Sequence, residues 1–484
     1  MTILLTIAVY FGALLVVSWL TGRAGNDAFF RGNRQSPWYV VAFGMLGASL
    51  SGVTFVSVPG MVLSIDMTYM QMCMGFFFGY LIVAFVLLPL YYRHRLTSIY
   101  SYLGTRLGTR SYKTGASFFL LSKLTGAAAR LYLVCLILQQ YVADDFGVPF
   151  TVTVLIILLL IWFYTRRSGI RTLVWTDSLQ TLVLFAALVM ILVKTCHLLD
   201  MNVGEAFSAV WTDSHSRIFD FSDINSRQHF LKQFFSGVFI VIVMTGLDQD
   251  MMQKNLTCKN LRDAQKDMCS YGILFIPANF LFLSLGVLVM MLYGKYGMSV
   301  PESGDSLLPG IIASGQMGSM VLVLFVVGII ASAFSSADSA LTALTTSLCI
   351  DILEVENPKS RFFKHAEKTR KRMHLVVIAV FVMFILGFKA LNDTSVIDAI
   401  YTIAGYTYGP LLGLFIFGMF THRQANDRLV PIIAIASPLI CYAIDLITSR
   451  CTGYRFGYEL LMLNGLLTFT GLYLTSKNQR PITS

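Results

Sequence analysis

The sequence predicts an all-α protein that crosses a membrane many times. Of its 484 residues, 56% are hydrophobic and only 13% are charged, whereas soluble domains carry about 25% charged residues. The mean hydropathy is +0.69. Apolar segments long enough to cross a bilayer, which takes about 20 residues of helix, follow one another along the chain. They leave no stretch that would form a separate soluble domain.

The predicted membrane spans number thirteen and cover most of the chain. In chain order they are 3–22, 38–60, 68–92, 111–143, 148–165, 172–198, 230–252, 266–293, 319–352, 372–389, 395–421, 428–448 and 455–475. The first is interpreted as a span rather than a signal peptide, because it has neither a basic leader nor a small-residue cleavage site. The two longest loops, 199–229 and 294–318, have room for short helices.

Basic residues alternate between the two sets of loops and set the predicted orientation. One set carries most of the lysines and arginines, including the run from Lys364 to Arg372, and the other carries few. Cytoplasmic loops are enriched in lysine and arginine, so the N-terminus is predicted outside and the C-terminus inside. The same rule explains the net charge of +10, so the charge is not taken as a sign of nucleic-acid binding. We expect a multi-pass protein of the plasma membrane, in a bacterium the inner membrane.

The ninth predicted span contains a polar cluster formed by Ser335, Ser336, Asp338 and Ser339. These residues lie within about one helical turn. Polar and charged groups inside a membrane are costly and usually mark functional sites. Hydroxyl and carboxylate oxygens are the ligands that a hard cation prefers. The cluster therefore predicts a cation site.

Two spans contain residues that weaken a helix near its middle. The second span includes Gly47, Gly52 and Pro59, and the eleventh includes the segment from Ala404 to Pro410. Broken helices near the midplane are typical of secondary transporters, and carbonyls freed by a break can coordinate a cation in a cavity. The alternative for each span is a proline kink that serves packing.

Besides Asp338, several charged residues fall within or close to the apolar spans, and five of them are candidates for a role. Asp177, near the start of the sixth span, is either a cation ligand or proton site or a charge that favours the helix N-terminus. Arg130 needs an anionic partner, which is either a protein carboxylate or a substrate carboxylate. Lys123 is expected to extend toward the cytoplasmic side. Asp248 and Asp250 are expected to pair with a neighbouring basic loop.

No feature of the sequence favours an enzyme. The eight cysteines are scattered through apolar segments without a CxxC pair, which argues against zinc and redox chemistry. The sequence shows no nucleophile with a base, no metal-binding cluster and no phosphate-binding loop. A transporter, or a sensor or channel of similar architecture, is the remaining class.

Together these motifs resemble the sodium/solute symporter family, which includes sodium/glucose, sodium/proline, sodium/iodide and bacterial sodium/sialic acid transporters. The resemblance covers nearly the whole chain. Its most specific pieces are Ser335–Ser339 followed by Asp351, Ser168–Asp177, Gly47–Leu50 and Tyr408–Gly418.

The resemblance implies a LeuT-type fold built from two inverted repeats of five helices each. The whole chain, 1–484, would form one membrane transport domain. Its parts would be an extra N-terminal helix (3–22), a first repeat (38–198), an inverted second repeat (230–421) and two peripheral helices (428–475).

The resemblance also implies that the protein binds sodium, with one or two ions in each cycle. In the family the main site uses carbonyls of the broken first core helix and of the eighth core helix, with two adjacent hydroxyls. The matching residues are the carbonyls of Gly47, Leu50 and Ser332 and the hydroxyls of Ser335 and Ser336.

Some family members bind a second sodium ion near the inner side of the membrane. The aspartate of a Trp-Thr-Asp motif and the serine cluster hold that ion. The matching residues here are Asp177, Ser335 and Ser339, and Asp338 is a further candidate ligand.

The substrate implied by the resemblance is a small organic anion. Sialic acid transporters of the family bind the substrate carboxylate through an arginine, and Arg130 stands at a matching place. Ser49, Ser51 and Thr54 on the broken helix and Gln71 on the next helix complete the predicted substrate site. The implied function is electrogenic import by alternating access of a carboxylate or sugar acid, such as sialic acid, together with sodium.

Two alternatives concern the transported species. The solute is an organic anion or a neutral sugar, amino acid or vitamin-like compound. The coupling ion is sodium or a proton carried by Asp177 or Asp338. Besides solute and sodium, only membrane lipid is an expected partner. Neither nucleic acid nor an obligate protein partner is expected.

Overall fold

A computed structural model describes residues 2–21, 26–165, 169–391 and 396–478. Within these ranges the chain is mostly helical, and its only extended pairings are two isolated bridges. Ser168, which begins one of the family motifs, and residue 395, the predicted start of the eleventh span, lie outside the described residues.

The helices coincide with the thirteen predicted segments, and we number them α1 to α13 accordingly. The second and seventh are each divided into halves a and b. Their bounds are α1 Thr2–Thr21, α2a Trp38–Ser49, α2b Gly52–Gly60, α3 Tyr69–Arg93, α4 Thr109–Leu138, α5 Phe150–Thr165, α6 Ile170–Leu198, α7a Phe230–Gly246, α7b Gln249–Asn255, α8 Leu261–Lys295, α9 Ser319–Ile352, α10 Ala366–Leu391, α11 Val396–Phe420, α12 Val430–Thr452 and α13 Leu460–Thr475. Short helices Val203–Thr212 and Leu307–Ala313 occupy the two longest loops, as the sequence allows.

Eight helices of the described chain are individually long and apolar enough to cross a membrane. Three bent helix pairs satisfy the same criterion when each pair is taken together, and α5 and α13 are shorter apolar helices. The chain is therefore an all-helical membrane protein with at least eight apolar helices. The count of thirteen spans and the outside location of the N-terminus remain predictions.

The break predicted in the second span is present. The halves α2a and α2b meet at an angle of 57°. Leu50 leaves the helical conformation with ψ at 69°, and Ser51 is extended with ψ at 172°. Because the last carbonyls of a helix have no partners within it, the end of α2a presents carbonyl oxygens at the break.

The second broken helix is α7, and the interruption expected in the eleventh span is wrong. The halves α7a and α7b meet at 69°, and the Asp248 carboxylate caps α7b by accepting bonds from the Asp250 and Met251 amides at 2.9 and 3.3 Å. In contrast, α11 runs continuously through Pro410. The helix thus continues across the proline without separating into two halves.

Helix α6 packs against both α2a and α9, which brings the predicted cation ligands together. The approach of α2a to α6 depends on Gly47. A Cβ atom at that position would lie 1.8 Å from Oγ1 of Thr181 on α6. A residue without a side chain is therefore required where the end of α2a meets α6.

Candidate cation and substrate sites

The polar cluster of the ninth span forms one buried face of α9. Ser332, Ser335, Ser336 and Ser339 are spaced three, four and seven residues apart, a spacing that places side chains on the same side of a helix. Their side chains are at most 8% exposed. One end of this face reaches the break in α2, and the other reaches Asp177 on α6.

Asp177 is fully buried and accepts hydrogen bonds from two of these serines. Ser335 Oγ donates to Oδ1 at 3.0 Å, and Ser339 Oγ donates to Oδ2 at 3.3 Å. The structure thus brings together the three residues that match the second sodium site. The alternative role of Asp177, a charge at the start of α6, is less consistent with its position, because Asp177 lies about two turns after Ile170, where the helix begins.

Asp338 lies beside this group and is also fully buried. Its Oδ1 accepts a hydrogen bond from Ser339 at 3.3 Å. Ser339 therefore stands between the two carboxylates, with Asp177 on one side and Asp338 on the other. A cation held by Ser339 would lie close to both acidic groups.

The predicted main sodium site lies where α9 meets the break in α2. Ser336 Oγ donates to the Ser332 carbonyl at 3.1 Å, so these two ligand candidates are adjacent. Ser332 Oγ donates to the Leu50 carbonyl at 2.6 Å. The side chain of Ser332 thus ties α9 to the α2 break through a carbonyl that is itself a predicted sodium ligand.

Lys254 is a component of the Asp177 site that the sequence reasoning missed. Its Nζ lies 2.7 Å from Oδ2 of Asp177, and the side chain is 1% exposed. The contact is an ion pair by distance, although its angles fall outside hydrogen-bond geometry. A second carboxylate, that of Asp250, lies 3.9 Å from the same Nζ. An ammonium group therefore already faces the carboxylate proposed to bind a second cation.

A second buried lysine joins this network on the side of the substrate cavity. Lys123 Nζ lies 2.7 Å from Asp250 Oδ2 and 3.2 Å from both carboxylate oxygens of Asp248. Tyr408 Oη donates to Asp248 Oδ2 at 2.5 Å. The expectation that Lys123 extends to the cytoplasmic side is therefore wrong, because its ammonium group pairs with the two aspartates. The aspartates are salt-bridge partners as expected, and Asp250 also lies 3.9 Å from Lys254, at the start of the predicted basic loop.

Arg130 lines a cavity of about 100 Å³ between α2, α3, α4, α7, α8, α9 and α11. Ser49, Lys123, Asp250 and Tyr401 are among the other lining residues. Within the described part of the chain, Arg130 forms no ion pair with a carboxylate within 4 Å. Its guanidinium is therefore available to an anion in the cavity, which favours the substrate alternative over an internal partner.

Of the four other residues of the predicted substrate site, one lines this cavity and three do not. Ser49 lines the cavity and is hydrogen bonded to Tyr271 Oη. Ser51 and Thr54 are buried at the break and at the start of α2b, and they are not among the lining residues.

Gln71 is fully buried away from the cavity. Its Nε2 donates to the Gln228 carbonyl at 2.9 Å, and its Oε1 accepts from the Asp220 amide at 3.0 Å. Gln71 therefore fastens the loop before α7, and its position does not support a contact with substrate.

A second cavity of about 850 Å³ lies at the end of the helices predicted to face outside. Its lining includes Ser57 and Gly60 of α2b, Gln228 and Asp305. Tyr401 lines both cavities, and its hydroxyl lies 3.1 Å from that of Tyr69. Tyr401 therefore forms part of the wall between the outer cavity and the Arg130 cavity, and Tyr69 contacts it.

The family profile described as "Sodium:solute symporter family" matches residues 29–428, which is more than half of the chain. The sodium/sialic acid symporter NanT of Aliivibrio fischeri is 26% identical over 439 residues, covering 88% of this chain and 84% of that protein. The sodium/sialic acid symporter SiaT of Proteus mirabilis is 25% identical, covering 88% and 86% respectively.

Solved structures show the same fold. A Na⁺-coupled sialic acid symporter in a substrate-bound outward-open state superposes with a TM-score of 0.82 at 20% identity, over 99% of each chain. Mhp1, a nucleobase-cation-symport-1 family transporter, superposes with a TM-score of 0.57 at 17% identity. The chain is thus a LeuT-like membrane transporter and not an enzyme, and its coupling ion is sodium. It belongs to the sodium:solute symporter family.

Proposed function

We propose that this protein imports a small organic anion carrying a carboxylate, with sialic acid as the first candidate, together with sodium. The plasma membrane, in a bacterium the inner membrane, is the proposed location. The observation that carries the substrate class is the guanidinium of Arg130, which lines the cavity and has no carboxylate of the described residues within 4 Å. Planar guanidinium groups bind carboxylates bidentately, through two parallel hydrogen bonds.

The size of the cavity bears on how such a substrate would enter. Ligand sites usually have volumes of about 300–1,000 Å³, whereas the Arg130 cavity has about 100 Å³. The neighbouring outer cavity has about 850 Å³. We therefore propose that a sugar acid enters from the outer cavity, with the Tyr69–Tyr401 pair displaced to enlarge the inner one.

Sodium at the main site would connect two helices that line the transport path. Its proposed ligands are the Gly47 and Leu50 carbonyls on α2a, the Ser332 carbonyl on α9, and the hydroxyls of Ser335 and Ser336. Because an ion held from both sides ties α2 to α9, its binding and release are proposed to couple to the opening of the cavity by alternating access. Ser336 also lines the Arg130 cavity, which supports a substrate position next to the proposed ion.

The sodium part of the proposal is tested by thermal unfolding of purified protein with and without sodium. Sodium should raise the unfolding temperature of the unaltered protein, and Ser336→Ala should remove most of that rise. Ser284→Ala is a matched control, because Ser284 Oγ makes the same kind of bond, 2.8 Å to a carbonyl four residues earlier, on α8. A protein that sodium does not stabilise, or whose uptake follows a pH gradient without sodium, would contradict sodium coupling.

The substrate part is tested by binding and uptake of carboxylated and neutral solutes. Arg130→Ala should weaken binding of the carboxylated substrate by roughly 10- to 150-fold, the equivalent of a hydrogen-bonded charged group worth about 1.5–3 kcal/mol. Arg130→Lys should keep part of the affinity because it keeps the charge. Arg455 is an exposed arginine, so Arg455→Ala should not change binding or uptake. Unchanged uptake of every tested anion by Arg130→Ala would show that the substrate class is wrong.

A further inference from the structure

We infer that Lys254 acts as a tethered cation at Asp177, so that the protein couples transport to one sodium ion rather than two. This inference rests on the proposed sodium-coupled import and concerns the number of ions. The family resemblance provides the carboxylate and hydroxyls of a second sodium site at Asp177, Ser335 and Ser339. The structure adds a buried positive charge to that site.

The ligands that a second sodium ion would use are already engaged. Oδ2 of Asp177 contacts Lys254 Nζ at 2.7 Å and accepts from Ser339 at 3.3 Å, and Oδ1 accepts from Ser335 at 3.0 Å. The side chains of Lys254 and Asp177 are 1% and 0% exposed. A sodium ion on the same carboxylate would lie within a few ångströms of a buried ammonium, where like charges repel strongly.

The break in α7 is what brings Lys254 to this position. After the turn at Asp248, α7b places Asp250 and Lys254 four residues apart on one helix face. Asp250 is 2.7 Å from Lys123 but 3.9 Å from Lys254. Asp250 is thus neutralised mainly by Lys123, which leaves the charge of Lys254 for Asp177. The carboxylate of Asp177 is thus paired with a cation without a bound ion, while Asp338 lies on the other side of Ser339.

A covalently attached charge and a bound ion differ in the energy that they contribute to uptake. Lys254 is not transported across the membrane, so its charge at Asp177 contributes no free energy from the sodium gradient. One sodium ion carried with one monoanion moves no net charge, so the membrane potential does not drive that uptake. Two sodium ions with one monoanion would carry one net positive charge, so the membrane potential would drive that uptake. The implied electrogenic cycle is therefore replaced by an electroneutral one.

The test counts sodium ions by equilibrium binding of ²²Na⁺ to purified protein without substrate. It then measures how uptake into vesicles depends on an imposed potential. The unaltered protein should bind one ion, and its uptake of a monoanion should not respond to the potential. Lys254→Gln should bind two ions, with the affinity of the Asp177 site raised at least about 100-fold. Lys254→Arg keeps the charge and should bind one.

A double variant keeps the test decisive if Lys254→Gln does not fold. Lys254→Gln combined with Asp177→Asn removes both charges, and it should fold and bind one sodium ion. Two bound ions in the unaltered protein, one ion in a folded Lys254→Gln, or no ion in the folded double variant would overturn the inference. Absence of any sodium binding to the unaltered protein would instead overturn the proposed function.

Discussion

Replacing Lys123 with methionine tests whether the buried charge network stabilises the protein. Lys123 is 8% exposed, and its two partners, Asp248 and Asp250, are 2% and 5% exposed. Its Nζ is 2.7 Å from Asp250 and 3.2 Å from Asp248. Methionine has a similar length but no charge, so the substitution leaves two buried carboxylates without their shared cation.

The expected loss follows from what each carboxylate retains. Removing one partner of a buried ion pair typically costs about 3–5 kcal/mol, because the other charge remains buried. Asp248 keeps the Tyr408 hydroxyl and two backbone amides as donors. Among the residues that the structure describes, the one ion pair left to Asp250 is with Lys254, at 3.9 Å. Most of the cost therefore falls on one carboxylate, and we expect a loss near the lower limit, about 3 kcal/mol.

The assay is unfolding in detergent, followed by thermal midpoint and by reversible denaturant titration. Lys295→Met is the matched control, because Lys295 pairs with Asp200 at a solvent-exposed position, where ion pairs contribute little. Lys123→Met combined with Asp250→Asn should recover part of the loss. Equal destabilisation by Lys123→Met and Lys295→Met would refute the assignment of a buried, stabilising network.

Two further predictions concern the α2 break. Gly47→Ala should destabilise the protein by about 1–3 kcal/mol, because the new Cβ would lie 1.8 Å from Thr181 Oγ1. Gly12→Ala is the control, because its Cβ would have no neighbour within 4 Å. Equal unfolding temperatures of the two variants would contradict the packing argument. Ser332→Ala frees the Leu50 carbonyl from a 2.6 Å hydrogen bond, so sodium binding should tighten by roughly 2- to 13-fold, from a net bond energy of about 0.5–1.5 kcal/mol. Weaker binding in a sodium titration would show that this hydroxyl supports the site.

The sequence predicted the helices well because the evidence for each one is local. Apolar length marks each span, and glycine and proline residues mark the break between Gly47 and Gly52. The prediction from local sequence was wrong where the same residue type can either end a helix or lie within one. Pro410 resembles a helix break but lies in a continuous helix, whereas α7 breaks after Gly246, where an aspartate caps the next half.

Of the residues in the candidate sites, only those that belong to a recognisable sequence motif were predicted. Asp177, Ser335 and Ser339 carry a recognisable pattern, and the structure places them in contact. Lys254 has no such pattern with Asp177, since the two are far apart in the chain and meet only because α7 is broken. The four-residue spacing of Asp250 and Lys254 was the one available signal, and it indicated a pair on a single helix rather than a link between sites.

The outer cavity has room for water molecules, whose release and uptake would accompany the transport cycle. A volume of about 850 Å³, at about 30 Å³ per molecule, corresponds to roughly 28 water molecules. If alternating access closes this cavity, those molecules must leave at each turnover. Osmolytes too large to enter the cavity would then favour the closed form. The osmotic strength of the medium should thus shift the conformational equilibrium even when the sodium gradient and the membrane potential are held constant.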